Sequence, residues 1–142
     1  MAAAVVDQVS KFINGQKDPL VSLVRKLVEA ESPSAHPECH DSVRRILAGA
    51  LMDVGYVVRE PGVASGVRHV FARPAQRRRD RGGQLLVGHF DTVWPIGTLE
   101  KRPFTVNGNT LRGPGVFDMK GGLAQIILAL RTIRELRLEP PL

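Results

Sequence analysis

Apolar residues at Leu20, Leu23, Val24, Leu27 and Val28 recur at three- and four-residue spacing, which predicts a helix opening at Asp18 and closing near Ser32-Pro33. Asp18 stands where a cap belongs, and Pro19 at the first helical position. Val43, Ile46, Leu47, Ala50, Leu51 and Val54 mark a second helix stopped by Gly55, with Arg44 and Arg45 pointing outward. The pattern then changes to short β-prone runs, Tyr56-Val57-Val58 and Val67 to Ala72, separated by Pro61-Gly62. Leu85-Leu86-Val87 is apolar on both faces, as in a parallel strand covered by helices. The Asn107-Gly108 pair between β-prone residues predicts a hairpin over Thr105 to Leu111, and Gly113-Pro114-Gly115 a turn after it. Leu123, Ile126, Ile127, Leu130 and Ile133 predict a third long helix over Met119 to Leu136, with Ala124, Leu128 and Ala129 widening its buried face.

This order of helices and strands predicts an α/β fold, helices packed on a mostly parallel sheet, with residues 1–142 forming one domain or part of one. A helix followed by Pro140-Pro141-Leu142 leaves the next strand of such a sheet unaccounted for, so the expectation is an incomplete domain. No internal repeat or low-complexity segment points to a solenoid or a disordered tail.

Composition narrows the function classes. The chain is 43% hydrophobic and 24% charged, the balance of a globular domain. Its net charge of +6 comes partly from Arg77, Arg78, Arg79 and Arg81 around Asp80, a run that reads first as a solvated turn and second as an anion patch. No aromatic residue interleaves that run, which argues against nucleic acid as a partner. The single cysteine, Cys39, excludes an internal disulfide framework and makes a cytoplasmic location the default. Met1 to Val6 is apolar but has no basic residue before it and meets Asp7, so neither a signal peptide nor a membrane partner is expected.

Two constellations carry candidate chemistry. Gly88-His89-Phe90-Asp91-Thr92 follows the apolar run, at the carboxyl end of a strand, where open α/β sheets bind ligands. Period-two alternation puts His89 and Asp91 on one face. A carboxylate taking the hydrogen of one ring nitrogen leaves the other free for a metal, but a histidine merely hydrogen-bonded at a strand end has the same sequence. Gly113 to Gly122 delivers Asp118 to a helix start, where it could cap the helix or, ionised, bind a metal.

Together these motifs resemble the co-catalytic zinc peptidase family that includes glutamate carboxypeptidase, aminoacylase and succinyl-diaminopimelate desuccinylase. The resemblance rests on Gly88-His89-Phe90-Asp91-Thr92-Val93, Arg102-Pro103-Phe104, Asn107-Gly108 and Arg112-Gly113-Pro114-Gly115 through Asp118-Met119-Lys120-Gly121-Gly122. The helix ending in Glu29-Ala30-Glu31-Ser32-Pro33-Ser34 and the one leading into Gly55-Tyr56 are similar to that family's start, and the wording is closest to its glutamate carboxypeptidase branch.

The resemblance implies the amino-terminal portion of a catalytic domain, without the dimerisation domain or the carboxyl-terminal half. It implies two Zn2+ ions, with Co2+ or Mn2+ as alternatives, a peptide or N-acyl amino acid substrate, and a homodimer for the complete enzyme. His89 would bind one metal, Asp118 would bridge both, Asp91 would serve catalysis by orienting His89, and the Asp118-Met119 bond would be cis. The family's paired glutamates, general base and ligand, have no counterpart here, since Glu135 and Glu139 stand isolated. The expectation for the isolated chain is therefore weak zinc binding and no turnover, and a truncated inactive product or a basic nucleic-acid-binding module are the competing readings. Among the remaining residues, His36, Cys39 and His40 form a possible soft-metal cluster, His69 is expected on a strand, and Trp94 and Phe104 are expected to pack beside the site.

Overall fold

A computed structural model of the chain describes residues 2–63, 66–76, 80 and 82–139. The apolar spacing produces α2 (Lys17–Glu29), α3 (Asp41–Asp53) and α5 (Gly121–Glu135), whose inward stripes meet. Val24, Leu27 and Val28 of α2, Val43 and Leu47 of α3, and Ala124 of α5 form one buried cluster with Ala30 and Phe104. Helix α2 opens one residue before the expected cap, behind Gln16 and with no side-chain cap. Pro19 thus falls inside the first turn, where the N–H it lacks has no intrahelical partner. Gly55 ends α3 as expected, at a φ of 87°.

Arg44 departs from the outward orientation expected of it and is only 6% exposed. Its guanidinium donates to Glu60 Oε2 at 2.8 Å and to Asp41 Oδ1, so the buried cation is met by one half-buried and one exposed carboxylate. Arg45 remains exposed. On α5, Ala129 is exposed rather than buried. Five positions beyond Ala124 it has turned about 140° around the helix, away from the core. Helix α1 (Ala2–Asn14) was not legible beforehand: it packs against α5 with Val9 and Phe12 half-buried, while Val5, Val6 and Ile13 stay exposed. No helix among the described residues is long and apolar enough to cross a membrane.

The described strands form two antiparallel pairs. In one, β1 (Tyr56–Arg59) pairs with β2 (Phe71–Pro74) in the register Tyr56↔Pro74. The second strand starts later than Val67, because Val67 and Arg68 are used in a turn: Val63 N–H donates to Val67 O, and Gly62 bridges Arg68. His69, expected on a strand, lies in this connection, where its N–H donates to Pro61 O. In the other pair, β3 (Thr105–Asn107) and β4 (Thr110–Arg112) form the expected hairpin, turning at Gly108 with a φ of 56°.

Parallel pairing among the described residues is limited to one bridge, Pro33 with Thr92. Leu85, Leu86 and Val87 run without regular secondary structure and are 81%, 55% and 77% exposed. An apolar strand needs partners on both edges and cover on both faces to be buried, and no described strand pairs with this one. The helix-and-strand class is therefore as expected, whereas the central parallel strand is not formed. Arg77, Arg78, Arg79 and Arg81 lie outside the described residues.

Candidate metal centre

The segment bearing His89 and Asp91 is held against the end of α2. Thr92 N–H donates to Ser32 O at 2.8 Å and Ser34 N–H to Thr92 O at 2.9 Å, a short parallel ladder. Ser32, fully buried, donates through its hydroxyl to Phe90 O at 2.7 Å, which satisfies a carbonyl that the ladder leaves over. His40 closes the other side: its Nε2 meets Pro33 O at 2.9 Å, and its ring stands edge-on to Phe90. Gly88 precedes this segment because a Cβ there would lie 2.9 Å from Leu123 Cδ2 of α5.

Asp118 arrives from the opposite direction. Gly113, Pro114 and Gly115 turn the chain out of β4, and the irregular turn Val116–Lys120 leads into α5. The Asp118-Met119 peptide bond is cis, as the resemblance implied. Lys120 anchors this turn: 1% exposed, it donates from Nζ to Ala30 O at 2.8 Å. Burial lowers its pKa to about 8, against the attraction of Glu31 and Asp91.

These two arms bring His89 and Asp118 face to face. His89 Nε2 lies 3.0 Å from Asp118 Oδ1, with both side chains open to solvent. His89 Nδ1 lies 3.0 Å from the backbone oxygen of Asp91 and 3.3 Å from its Oδ1. A carbonyl oxygen only accepts, so Nδ1 must carry hydrogen. The hydrogen bond to Asp118 raises the pKa of His89, opposed by desolvation and joined by the contacts with Asp91. Asp91 itself is pushed up by partial burial, yet stays below its ordinary value because the Ser34 hydroxyl, the backbone and His89 favour its ionised form.

A nitrogen and an oxygen sharing a tetrahedral zinc at ordinary bond lengths stand about 3.4 Å apart. The 3.0 Å observed between His89 Nε2 and Asp118 Oδ1 is within a small side-chain rotation of that. A proton on Nε2 and a divalent cation are thus alternative ways to satisfy the facing pair. The donor types fit a metal, but two are fewer than the three protein ligands usual for catalytic zinc. Among the described residues, no group of three or more His, Cys, Asp or Glu side chains is placed to hold an ion.

The other candidates separate. His36 pairs with Glu38 at 2.9 Å and His40 with Pro33, so these two and Cys39 do not converge. Phe104 is buried in the core beneath Arg25, and Trp94 is covered by Arg102. Sequence reasoning assigned no role to Ser32, Ser34, Glu31 or Lys120, although all four stood within the quoted motifs. Glu31 accepts from Gly97 N–H at 2.8 Å and Leu99 N–H at 3.1 Å, satisfying the start of the short helix α4 (Thr98–Lys101). Two charge-assisted bonds at a partly buried position predict that Glu31→Ala costs about 1–3 kcal/mol, measured by urea denaturation. A change within 0.5 kcal/mol would show that α4 does not depend on this carboxylate.

The sequence pattern of peptidase family M20/M25/M40 matches residues 85–142, the stretch that carries both arms of the centre. Acetylornithine deacetylases of Salmonella paratyphi B (strain ATCC BAA-1250 / SPB7), Salmonella newport (strain SL254) and Salmonella heidelberg (strain SL476) are each 37% identical over 131 residues, covering 87% of this chain. The chain spans about a third of the length of these curated relatives, 34% in each case. They are deacetylases by name, so the expected glutamate carboxypeptidase branch finds no support in them. What the family pattern and these relatives support is peptidase family M20/M25/M40, over the part that bears His89, Asp91 and Asp118.

Proposed function

We propose that this chain is the amino-terminal portion of the catalytic domain of a metal-dependent amide hydrolase, supplying two donors of its metal site, His89 and Asp118. The observation that carries the reading is the approach of His89 Nε2 to Asp118 Oδ1, 3.0 Å, from two arms pinned to the same helix end. An imidazole and a carboxylate suit zinc, and also cobalt or manganese. When bound, such an ion polarises the scissile carbonyl and acidifies a water. Asp91 takes the Nδ1 hydrogen of His89 and so directs the Nε2 lone pair outward. Further ligands and the group that accepts the proton of the attacking water are contributed by additional chain.

Peptidases and deacetylases both break a bond between an acyl carbon and nitrogen, and that shared step is what the family and the relatives support. The favoured substrate is an N-acetyl amino acid such as N-acetylornithine, following the relatives' names. Release of a carboxyl-terminal amino acid is the second reading, favoured by the wording of the motifs from Gly88 to Gly122. The test uses a protein carrying this chain within the length of its relatives. N-acetylornithine and an N-acylglutamate are offered before and after metal removal by a chelator, then after Zn2+ is restored. Hydrolysis that is lost and regained supports the reading, and the preferred substrate separates its two forms. A rate undiminished by complete metal removal would sink it.

A further inference from the structure

Ser34 ends the Glu31 to Ser34 stretch, to which neither the motifs nor the proposed chemistry gives a task. Its backbone N–H belongs to the ladder with Thr92. Its hydroxyl lies 2.6 Å from Asp91 Oδ2 and 3.2 Å from Thr92 O. A serine hydroxyl has one hydrogen, and the shorter, charge-assisted contact takes it. Asp91 Oδ2 is thereby fixed, and the carboxylate plane presents its other oxygen, Oδ1, to His89 Nδ1 at 3.3 Å. The order Ser34 to Asp91 to His89 to Asp118 is a continuous line of contacts from a fixed backbone to the facing donor pair.

We propose that Ser34 is a positioning residue for the metal-binding nitrogen of His89, acting through Asp91; the inference rests on the metal-site reading above. The backbone ladder already holds the segment in place, so the hydroxyl is not needed for folding. What it adds is the rotation of the Asp91 carboxylate. Without it, Asp91 is free to turn toward solvent, and on the Nδ1 side only the backbone oxygen of Asp91 still holds the His89 ring.

The probe is Zn2+ alone, titrated into a protein carrying this chain within the length of its relatives and followed by the imidazole nitrogen resonances of His89. Groups that orient a ligating histidine contribute about 10- to 100-fold in metal affinity, and Ser34 stands one contact further out and exposed. Ser34→Ala is therefore expected to weaken Zn2+ binding at His89 by about 3- to 10-fold. Ser34→Thr, which keeps the hydroxyl, should stay within about twofold, and the thermal midpoints of both should stay near that of the unaltered chain.

Unchanged affinity in Ser34→Ala, with the unaltered chain responding, would overturn the role of Ser34 and leave the metal site standing. Weakened affinity that Ser34→Thr fails to restore would overturn it as well, since packing and not the hydroxyl would then be the cause. If His89 of the unaltered protein, carrying this chain within the length of its relatives, shows no response to Zn2+, the metal-site reading fails and this inference with it.

Discussion

Asp118→Ala or His89→Ala, made in a protein that carries this chain within the length of its relatives, is expected to lower amide hydrolysis at least about a thousandfold. The two side chains face each other across 3.0 Å, so either loss leaves the other without a counterpart for a shared ion. Because they serve one centre, the double variant should be hardly worse than either single one. Asp91→Asn should be milder, about 10- to 100-fold, since the backbone oxygen of Asp91 still accepts from His89 Nδ1 at 3.0 Å. Far-UV circular dichroism checks that the fold survives, as His89 and Asp118 are exposed and contribute little to the core. Activity retained within tenfold in either alanine variant would remove both residues from the site.

The approach of His89, Asp91 and Asp118 to one another was expected from their motifs taken together, each motif alone leaving a structural reading open. His89, Asp91 and Asp118 sit in glycine-punctuated motifs where backbone geometry is demanding, and demanding geometry leaves local signals. The turn at Gly108 and the stop at Gly55 belong to the same class, whereas the cis bond after Asp118 was implied only by the resemblance. The helices α2, α3 and α5 were legible because each lays a periodic stripe on one core.

What escaped depends on contacts distant in sequence. Ser34 meets Asp91, Glu31 meets Gly97 and Leu99, and Lys120 meets Ala30, and no local pattern states which carbonyl or carboxylate a polar side chain will find. The inward turn of Arg44 has the same origin, because Glu60 lies beyond the helix that carries it. Leu85 to Val87 failed differently. Its sequence is strand-like, but a strand is a property of pairs, and among the described residues it has no partner.

Gly115→Ala is expected to be the most destabilising small substitution near the centre, by about 2–4 kcal/mol. Gly115 has a φ of 71°, where a Cβ costs about 1–2 kcal/mol. An added Cβ would also lie 2.6 Å from Thr92 Cγ2. Thr92 has little room to retreat, being buried and tied by its N–H to Ser32 O, so overpacking adds about 1–3 kcal/mol. Two other glycines separate these causes. Gly97 has a φ of 80° with nothing within 4 Å of an added Cβ, so Gly97→Ala should show the conformational cost alone. Gly49 lies inside α3 with nothing within 4 Å, so Gly49→Ala should stabilise by about 0.5–1 kcal/mol. Urea denaturation of the three variants should rank Gly115→Ala below Gly97→Ala and Gly49→Ala above the unaltered chain. If Gly115→Ala costs no more than Gly97→Ala, the turn that delivers Asp118 does not press on the Asp91 segment, and the two arms of the centre are set independently.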